Sequence, residues 1–296
     1  MSITYIIDIS IQIYIIKFKE KIMKKIIIMA IAIFSLALIS CEKETNENKI
    51  KKVQEINDDN YIVELYTETG KFQTGYNEIF IKVKGKNTDN YIENININWY
   101  PEMQMMDKKH SCPRSSVEKV AGETFLQKGY FIFQMAGNTM EHWNLTITLN
   151  DGEQTVITEQ INVQAATYKN VATFKDTISG KKYVIALIQP QKPTVATNDL
   201  SFGLFEMESM SNFLPVTNFT ILFDPRMPSM ENHSSPNNTQ PSYNNVDGLY
   251  HGKLSLTMTG EWKLNLIIKN AVGDIIQGNA VSETEDSNLY LMLEAK

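Results

Sequence analysis

The stretch LTITL, Leu145–Leu149, places an apolar residue at every second position. Two further segments show the same alternation, Ile79–Val83 (IFIKV) and Leu254–Met258 (LSLTM). Because successive side chains of a β-strand point to opposite faces, a period of two is typical of strands with one buried face. Turn signals such as Asn150-Asp151-Gly152 separate these segments, and no long segment outside the N-terminal region has the helical period of 3.6. The sequence therefore predicts an all-β fold.

The chain also repeats itself, with an offset of about 120 residues. The segment NINWYPEMQMMDKKHSCP, which begins at Asn96, parallels TILFDPRMPSMENHSSPN, which begins at Thr220. FIFQMAGNTMEHW, ending at Trp143, parallels LSLTMTGEW, ending at Trp262. A duplicated unit of alternating strands predicts two tandem immunoglobulin-like β-sandwich domains, which we place at 58–166 and 167–296.

The N-terminal region has the pattern of an export signal. From Met23 it reads MKKIIIMAIAIFSLALISC, a basic start and an apolar run that end in a lipobox at Cys41. This pattern resembles the signal of bacterial lipoproteins, which implies translation from Met23, removal of residues 1–40 and a lipid on Cys41. A transmembrane anchor is the alternative, but the apolar run is shorter than the roughly 20 residues that a membrane-spanning helix needs.

Composition and charge restrict the partners. Residues 1–40 carry five lysines and two acidic residues, so their removal moves the formal net charge from −6 to −9. A chain this acidic has no general attraction for nucleic acid. Residues 41–57 are polar and charged, and we predict a flexible tether there. The expected location is the bacterial envelope, at the periplasmic or the surface face of the outer membrane.

Methionine and histidine recur at matching positions of the two repeats, after a proline and around a tryptophan. The matching residues are Met103, Met106, His110 and Met135 in the first repeat and Met227, Met230, His233 and Met258 in the second. Thioether sulfur is a soft, neutral ligand that prefers Cu(I), and imidazole also tolerates Cu(II). The pattern indicates a copper site in each repeat, within a loop bounded by Pro101 or Pro225.

The order Pro-x-Met-x2-Met-x3-His, an aromatic strand and then Met-x-Gly before Trp resembles the YtkA-like/FixH-like domain of bacterial exported proteins. The resemblance covers both repeats and implies an immunoglobulin-like sandwich that handles copper. The eight matching residues would then be the ligands, with the histidine and at least two methionine sulfurs converging in each domain. The spacing to His233 is one residue shorter, and the first repeat adds Met105 and Cys112.

Simpler interpretations stay open at several of these positions. Met135 and Met258 continue apolar faces, so both could be packed core residues. His110 and His233 could be ordinary loop residues. Cys112 could be a buried structural thiol or a ligand. Trp143 and Trp262 are expected to anchor the cores, whereas His142 and His251 have no matched partners and are not expected to be ligands.

The sequence carries no enzyme signature of the common kinds, such as Gly-x-Ser-x-Gly, His-Glu-x2-His or a phosphate-binding glycine loop. We therefore expect no catalytic activity. The favoured hypothesis is a membrane-anchored lipoprotein that binds copper as a chaperone, a buffer or a resistance factor, together with a copper-handling partner protein. The alternative is a cell-surface or periplasmic protein whose immunoglobulin-like modules bind no metal.

Overall fold

The computed structural model describes Met23 and residues 50–151, 153–282 and 285–296. The predicted signal region, except Met23, lies outside the described residues, and so does Cys41. Residues 50–296 form one compact unit. The first strand of this unit already begins at Lys51, so the predicted tether, 41–57, extends too far. Residues 51–57 pair along the edge of the first sheet instead of staying free in solvent.

The first half of the unit is built from antiparallel strands. They are β1 (Lys51–Asn57), β2 (Tyr61–Thr67), β3 (Phe72–Gln73), β4 (Gly75–Gly85), β5 (Asn96–Gln104), β6 (Lys109–His110), β7 (Glu118–Lys119), β8 (Gln127–Phe133), β9 (His142–Asp151), β10 (Glu153–Ile161) and β11 (Val163–Gln164). One sheet has the order β1-β2-β4-β8-β7, and the facing sheet has the order β10-β9-β5-β6. A short parallel pair, β11-β3, closes one end. The inward side chains of both sheets form one apolar core.

The second half follows from Val171 onward. Its strands are β12 (Val171–Lys175), β13 (Lys182–Gln189), β14 (Thr197–Met207), β15 (Phe213–Pro215), β16 (Thr220–Met227), β17 (His233–Ser234), β18 (Thr239–Asn244), β19 (Leu249–Ser255), β20 (Gly260–Lys269), β21 (Ile275–Gln277) and β22 (Tyr290–Ala295). A 3-10 helix lies at Pro228–Met230. One sheet has the order β12-β13-β14-β19-β18 and the other has β17-β16-β20-β21, with β22 also paired to β20. A second apolar core fills the space between them.

The two halves share one topology. The order β1-β2-β4-β8-β7 of the first half corresponds to β12-β13-β14-β19-β18 of the second, and β6-β5-β9-β10 corresponds to β17-β16-β20-β22. Individual hydrogen bonds repeat as well. The Asn77 side-chain amide donates to the carbonyls of Gln73 and Gly75, and the Asn198 amide donates to those of Thr194 and Ala196. The predicted fold class, all-β with two tandem immunoglobulin-like sandwiches, is confirmed.

An apolar interface joins the two sandwiches. Strand β13 is buried on both faces: Ile185 points into the second core, whereas Val184 and Ala186 point toward the first sandwich. There they pack with Ile132 of β8 in a cluster that also includes Phe205. Such a continuously apolar strand is expected where both faces of a sheet are covered.

A turn of the second sandwich also contacts the first. The turn between β14 and β15 carries Met210, whose carbonyl accepts a hydrogen bond of 2.7 Å from the backbone N–H of Ser111. The Arg114 guanidinium donates to the carbonyl of Ser211 in the same turn, at 3.4 Å. The second sandwich therefore contacts the first immediately after His110.

A buried carboxylate lies on the outer face of the first sheet. The Glu64 side chain is 3% exposed and accepts hydrogen bonds from Lys52 Nζ at 2.6 Å, Tyr66 Oη at 2.7 Å and Tyr91 Oη at 2.9 Å. Burial by itself raises the pKa of a carboxyl group, but these three donors outweigh burial and lower the pKa of Glu64 to about 2. The carboxylate therefore stays charged over the whole ordinary pH range.

Candidate metal-binding site

The first Met/His segment is a β-hairpin and not a proline-bounded loop. Pro101 and Met103 both lie within β5, and the turn that follows is closed by a hydrogen bond of 2.9 Å from Met105 N to Lys108 O. A proline fits in β5 because β6 pairs only with Met103 and Gln104, so no described strand pairs with Pro101 on that side, where the Ser111 hydroxyl donates to its carbonyl at 2.7 Å. The prediction that Met103 lies in a loop was therefore wrong.

Three of the four predicted ligands of the first repeat lie around Trp143. Met103 stands opposite His110 on one side and opposite Trp143 on the other, so the three form one row across the sheet. The His110 ring meets the indole edge-on, with 5.4 Å between the ring centroids. The indole Nε1–H donates to the backbone carbonyl of Met135 at 3.0 Å. Trp143 thus connects Met103, His110 and Met135.

Burial separates these three residues. Met103 is fully buried in the first core, whereas His110 and Met135 are half-buried at the end of the sandwich. Met135 also packs against the core, as the core interpretation of that residue predicted. The row therefore runs from the interior at Met103 to the accessible rim at His110.

The hydrogen bond of His110 decides which ring nitrogen is available. Its Nδ1 lies 2.8 Å from the carbonyl oxygen of Ser111. Because a carbonyl oxygen can only accept a hydrogen bond, Nδ1 must carry the proton, and the lone pair of the neutral ring lies on Nε2. A histidine held in this way is prepared to bind a metal through Nε2.

Met106 is placed differently from the other three. It lies in the turn between β5 and β6, and 75% of its surface is exposed. Met105, in the same turn, is half-buried and packs against the core. Met106 is therefore open to solvent at the tip of the hairpin, apart from the row at Trp143.

The second repeat has the same Met–His pairing and the same tryptophan hydrogen bond. Met227 lies opposite His233 across β16 and β17, and the Trp262 indole N–H donates to the carbonyl of Met258 at 3.0 Å. Met227 is 2% exposed, and its Cε lies 3.0 Å from the position that a Cβ on Gly260 would occupy. Met227 is thus a core residue of β16 like Met103, and Met258 packs against the same core.

The shorter spacing to His233 has a local cause. The hairpin contains the 3-10 helix Pro228–Met230, followed by Glu231 and Asn232, whose φ angles are +53° and +57°. This tight turn brings the chain back one residue earlier than in the first repeat. Met230 is 52% exposed, less than Met106, whereas His233 is exposed and His110 is only half-buried.

Cys112 is a buried thiol of the first core and is fully inaccessible. Burial raises the pKa of its thiol well above the usual range, because the thiolate would lose its hydration. Since the thiolate is the form that binds metals, Cys112 is a poor ligand at neutral pH. The structural interpretation of this residue is the one that fits.

Two further residues lie near the site, Met140 and the unmatched His142. His142 begins β9 and stands opposite Gln104, one position from the row at Trp143, and Met140 lies exposed in the preceding turn. The spacing Met140-x-His142 directly before Trp143 was the signal that could have identified them. The second repeat has Glu261 before its tryptophan, so this pair belongs to the first sandwich alone.

In the described residues, no group of three or more His, Cys, Asp or Glu side chains is placed to hold a metal ion. Within the same residues, no helix has the length and apolar character to cross a membrane.

Comparison with known proteins adds little about function. No family model matches the chain, and no curated protein matches it. One similar solved structure is FdeC, described as a broadly conserved Escherichia coli adhesin, with 12% sequence identity and a TM-score of 0.23. The match covers 77% of this chain and 62% of FdeC, so it spans less than two thirds of that structure. At this level of similarity, no functional conclusion passes from FdeC to this chain.

Proposed function

We propose that this protein is an exported, lipid-anchored copper-binding protein with one Met/His site in each sandwich. The observation that carries the proposal is the repeated arrangement: in both sandwiches a core methionine pairs with a histidine across a hairpin, and a buried tryptophan donates to the carbonyl of a second methionine. Core packing alone requires apolar residues, but it does not require a histidine at the same place twice.

The chemistry of these donors fits a soft ion. Met103 and Met135 would supply thioethers and His110 would supply Nε2 in the first sandwich, while Met227, Met258 and His233 would do so in the second. A copper ion bound to these donors would still attract soft ligands of another molecule, and a chaperone or a buffer needs this property. The exposed Met106 and Met230, at the hairpin tips, would be the first thioethers that an incoming ion meets.

Lipid attachment is part of the proposal. The motif at Cys41 and the acidic charge of the mature chain support an anchor made by the lipid and not by basic residues. The protein would face the periplasm or the cell surface and pass copper to a partner protein. The resemblance to the YtkA-like/FixH-like domain stays a prediction that rests on the motif.

Replacement of Cys41 by serine tests the anchor. Because lipid is attached through the cysteine thiol, Cys41→Ser is expected to leave an unlipidated precursor that does not incorporate labelled fatty acid. The measurement is fatty-acid labelling with fractionation of the cells, and Cys112→Ser is the matched control that should label as the parent does. Full labelling of Cys41→Ser would overturn the lipoprotein assignment.

Copper binding is tested by stoichiometry. The parent chain is expected to bind two Cu(I) ions, measured anaerobically in competition with a chromogenic Cu(I) chelator. The variant Met103→Leu/His110→Gln/Met135→Leu should bind one, and so should Met227→Leu/His233→Gln/Met258→Leu. Leucine nearly conserves the volume of methionine, so the fold should survive. Because the two sites share no ligand, the losses should add.

The pair Met140→Leu/His142→Gln is the matched control, since it alters the same residue types at the same end of the first sandwich. This control is expected to keep two Cu(I) ions. If the two triple variants together still bind two ions with the parent affinity, the methionines are packing residues and the copper proposal fails.

A further inference from the structure

A polar groove separates the two sandwiches on the side of the segment that connects them. Two adjoining cavities of about 400 and 520 Å³ form this groove. One wall is the β2–β4 region of the first sandwich, the other is the β13–β14 loop, and residues 166–170 form the floor. Their volumes fall in the range of small-molecule binding sites.

The lining is rich in amides and hydroxyls. Amide side chains come from both sandwiches and from the connecting segment: Gln73, Asn77, Asn170, Gln189 and Gln191. Threonine hydroxyls lie between them, at Thr67, Thr69, Thr74, Thr167 and Thr194. Leu187, Pro190 and Met292 add apolar surface. The groove thus offers neutral hydrogen-bonding groups next to small apolar faces.

The charges of the lining balance. The three acidic residues are Glu68, Glu78 and Glu294, and the three basic ones are Lys71, Lys192 and Lys296. Lys192 Nζ lies 2.7 Å from Glu68, so this pair links the two walls. Glu78 is paired with Lys128, at 3.0 Å. With no net charge in the groove, a charged ligand would gain little here.

Hydrogen bonds within the walls hold the groove in shape. The Asn77 side chain accepts from the N–H of Gln73 at 2.9 Å and donates to its carbonyl at 2.7 Å. The Thr74 hydroxyl accepts from the N–H of Ala166 at 3.0 Å, which ties the floor to one wall. The N–H of Lys296 donates to the Pro193 carbonyl at 3.1 Å. A groove held in this way loses little conformational entropy when a ligand binds.

Among the described residues, two side-chain amides of the groove have atoms that make no hydrogen bond. The Asn170 Oδ1 is buried and has no hydrogen-bond partner among the described residues, although it lies between the two cavities. It packs so closely on Gly75, whose φ is +89°, that a Cβ there would lie 2.1 Å from it. The Gln73 backbone is held by Asn77, while its side-chain amide has no partner in the described part of the chain. Buried acceptors normally find a donor, and Asn170 Oδ1 has none among the described residues.

We infer that the groove binds a neutral oligosaccharide. Vicinal hydroxyls of a sugar both donate and accept, which matches facing amides and threonines, and the apolar faces of a sugar ring suit Leu187, Pro190 and Met292. The Gln73 amide would contact the sugar directly, and so would the Asn170 amide, since Asn170 lines both cavities. This inference does not depend on copper binding.

The test is calorimetric titration of the purified full chain with hexasaccharides of glucose, xylose and mannose, and with a heparin hexasaccharide as the charged comparison. At least one neutral sugar is expected to bind with a Kd below about 1 mM. Gln73→Ala and Asn170→Ala should each weaken this binding at least tenfold, through the loss of an amide contact.

Gln154→Ala is the matched control, since Gln154 is exposed on β10, away from the groove. It should bind as the parent does. If Asn170→Ala loosens the interface between the sandwiches, Gln73→Ala still tests the inference. Among the described residues the Gln73 side chain makes no hydrogen bond, so its removal should leave the fold intact. The inference is overturned if no neutral sugar binds, if heparin binds more tightly, or if Gln73→Ala binds as the parent does.

Discussion

Trp143→Ala is expected to lower the free energy of unfolding by about 3–5 kcal/mol, the range found for large aromatic residues removed from a core. Trp143 is fully buried and packs edge-on against Phe133, with 4.8 Å between the ring centroids. Its loss would leave a cavity beside Met103 and an unpaired carbonyl at Met135. Urea denaturation followed by far-UV circular dichroism measures the change.

Trp143→Phe is the matched control for this prediction. Phenylalanine keeps an aromatic ring against Phe133 but cannot donate to the Met135 carbonyl, so the expected loss is smaller, about 1–3 kcal/mol. The row that holds Met103 and His110 should be disturbed more by alanine than by phenylalanine. Equal losses in the two variants would show that packing around Trp143 does not organise this end of the sandwich.

Glu64→Gln is expected to cost roughly 3 kcal/mol at neutral pH. The folded pKa of Glu64 is about 2, against 4.5 for the free carboxyl, and each unit of difference corresponds to about 1.4 kcal/mol. The sign follows from the lowered pKa: the contribution is fully present above pH 4.5 and is lost as the pH falls through 2. The difference between parent and variant should therefore shrink over that window, in urea denaturation at a series of pH values.

Glu78→Gln is the matched control for Glu64. Glu78 also lies on the first sheet and pairs with Lys128 at 3.0 Å, but its side chain is 36% exposed. Exposed ion pairs contribute about 0–1 kcal/mol, so this variant should lose little at any pH. If Glu64→Gln behaves like Glu78→Gln, or if its cost does not change between pH 5 and pH 2, the buried carboxylate does not stabilise the sheet as described.

The strands were predictable because their period is local. Leu145, Ile147 and Leu149 alternate in the sequence and are all fully buried in the structure. The internal repeat then predicted the second sandwich from the first, and the structure adds the matching hydrogen bonds of Asn77 and Asn198.

The placement of Met103 in a strand was harder to predict from the sequence, because the proline before it suggested a loop. Whether a proline interrupts a strand depends on whether another strand pairs with it, and only the fold shows that β6 ends before it reaches Pro101. The charge cluster at Glu64 and the groove at Asn170 bring together residues from distant segments. No local sequence pattern predicts such long-range contacts, since each residue by itself is an ordinary polar residue.

The apolar interface between the sandwiches has a consequence for synthesis. Domains usually fold as they emerge, with the N-terminal one first. The first sandwich would then present Ile132 and the neighbouring Tyr76 and Tyr130 uncovered until Val184 and Phe205 have been made. A chain that stops between the two halves would keep this patch exposed and would be prone to self-association. The second sandwich therefore also serves as a cover for the first.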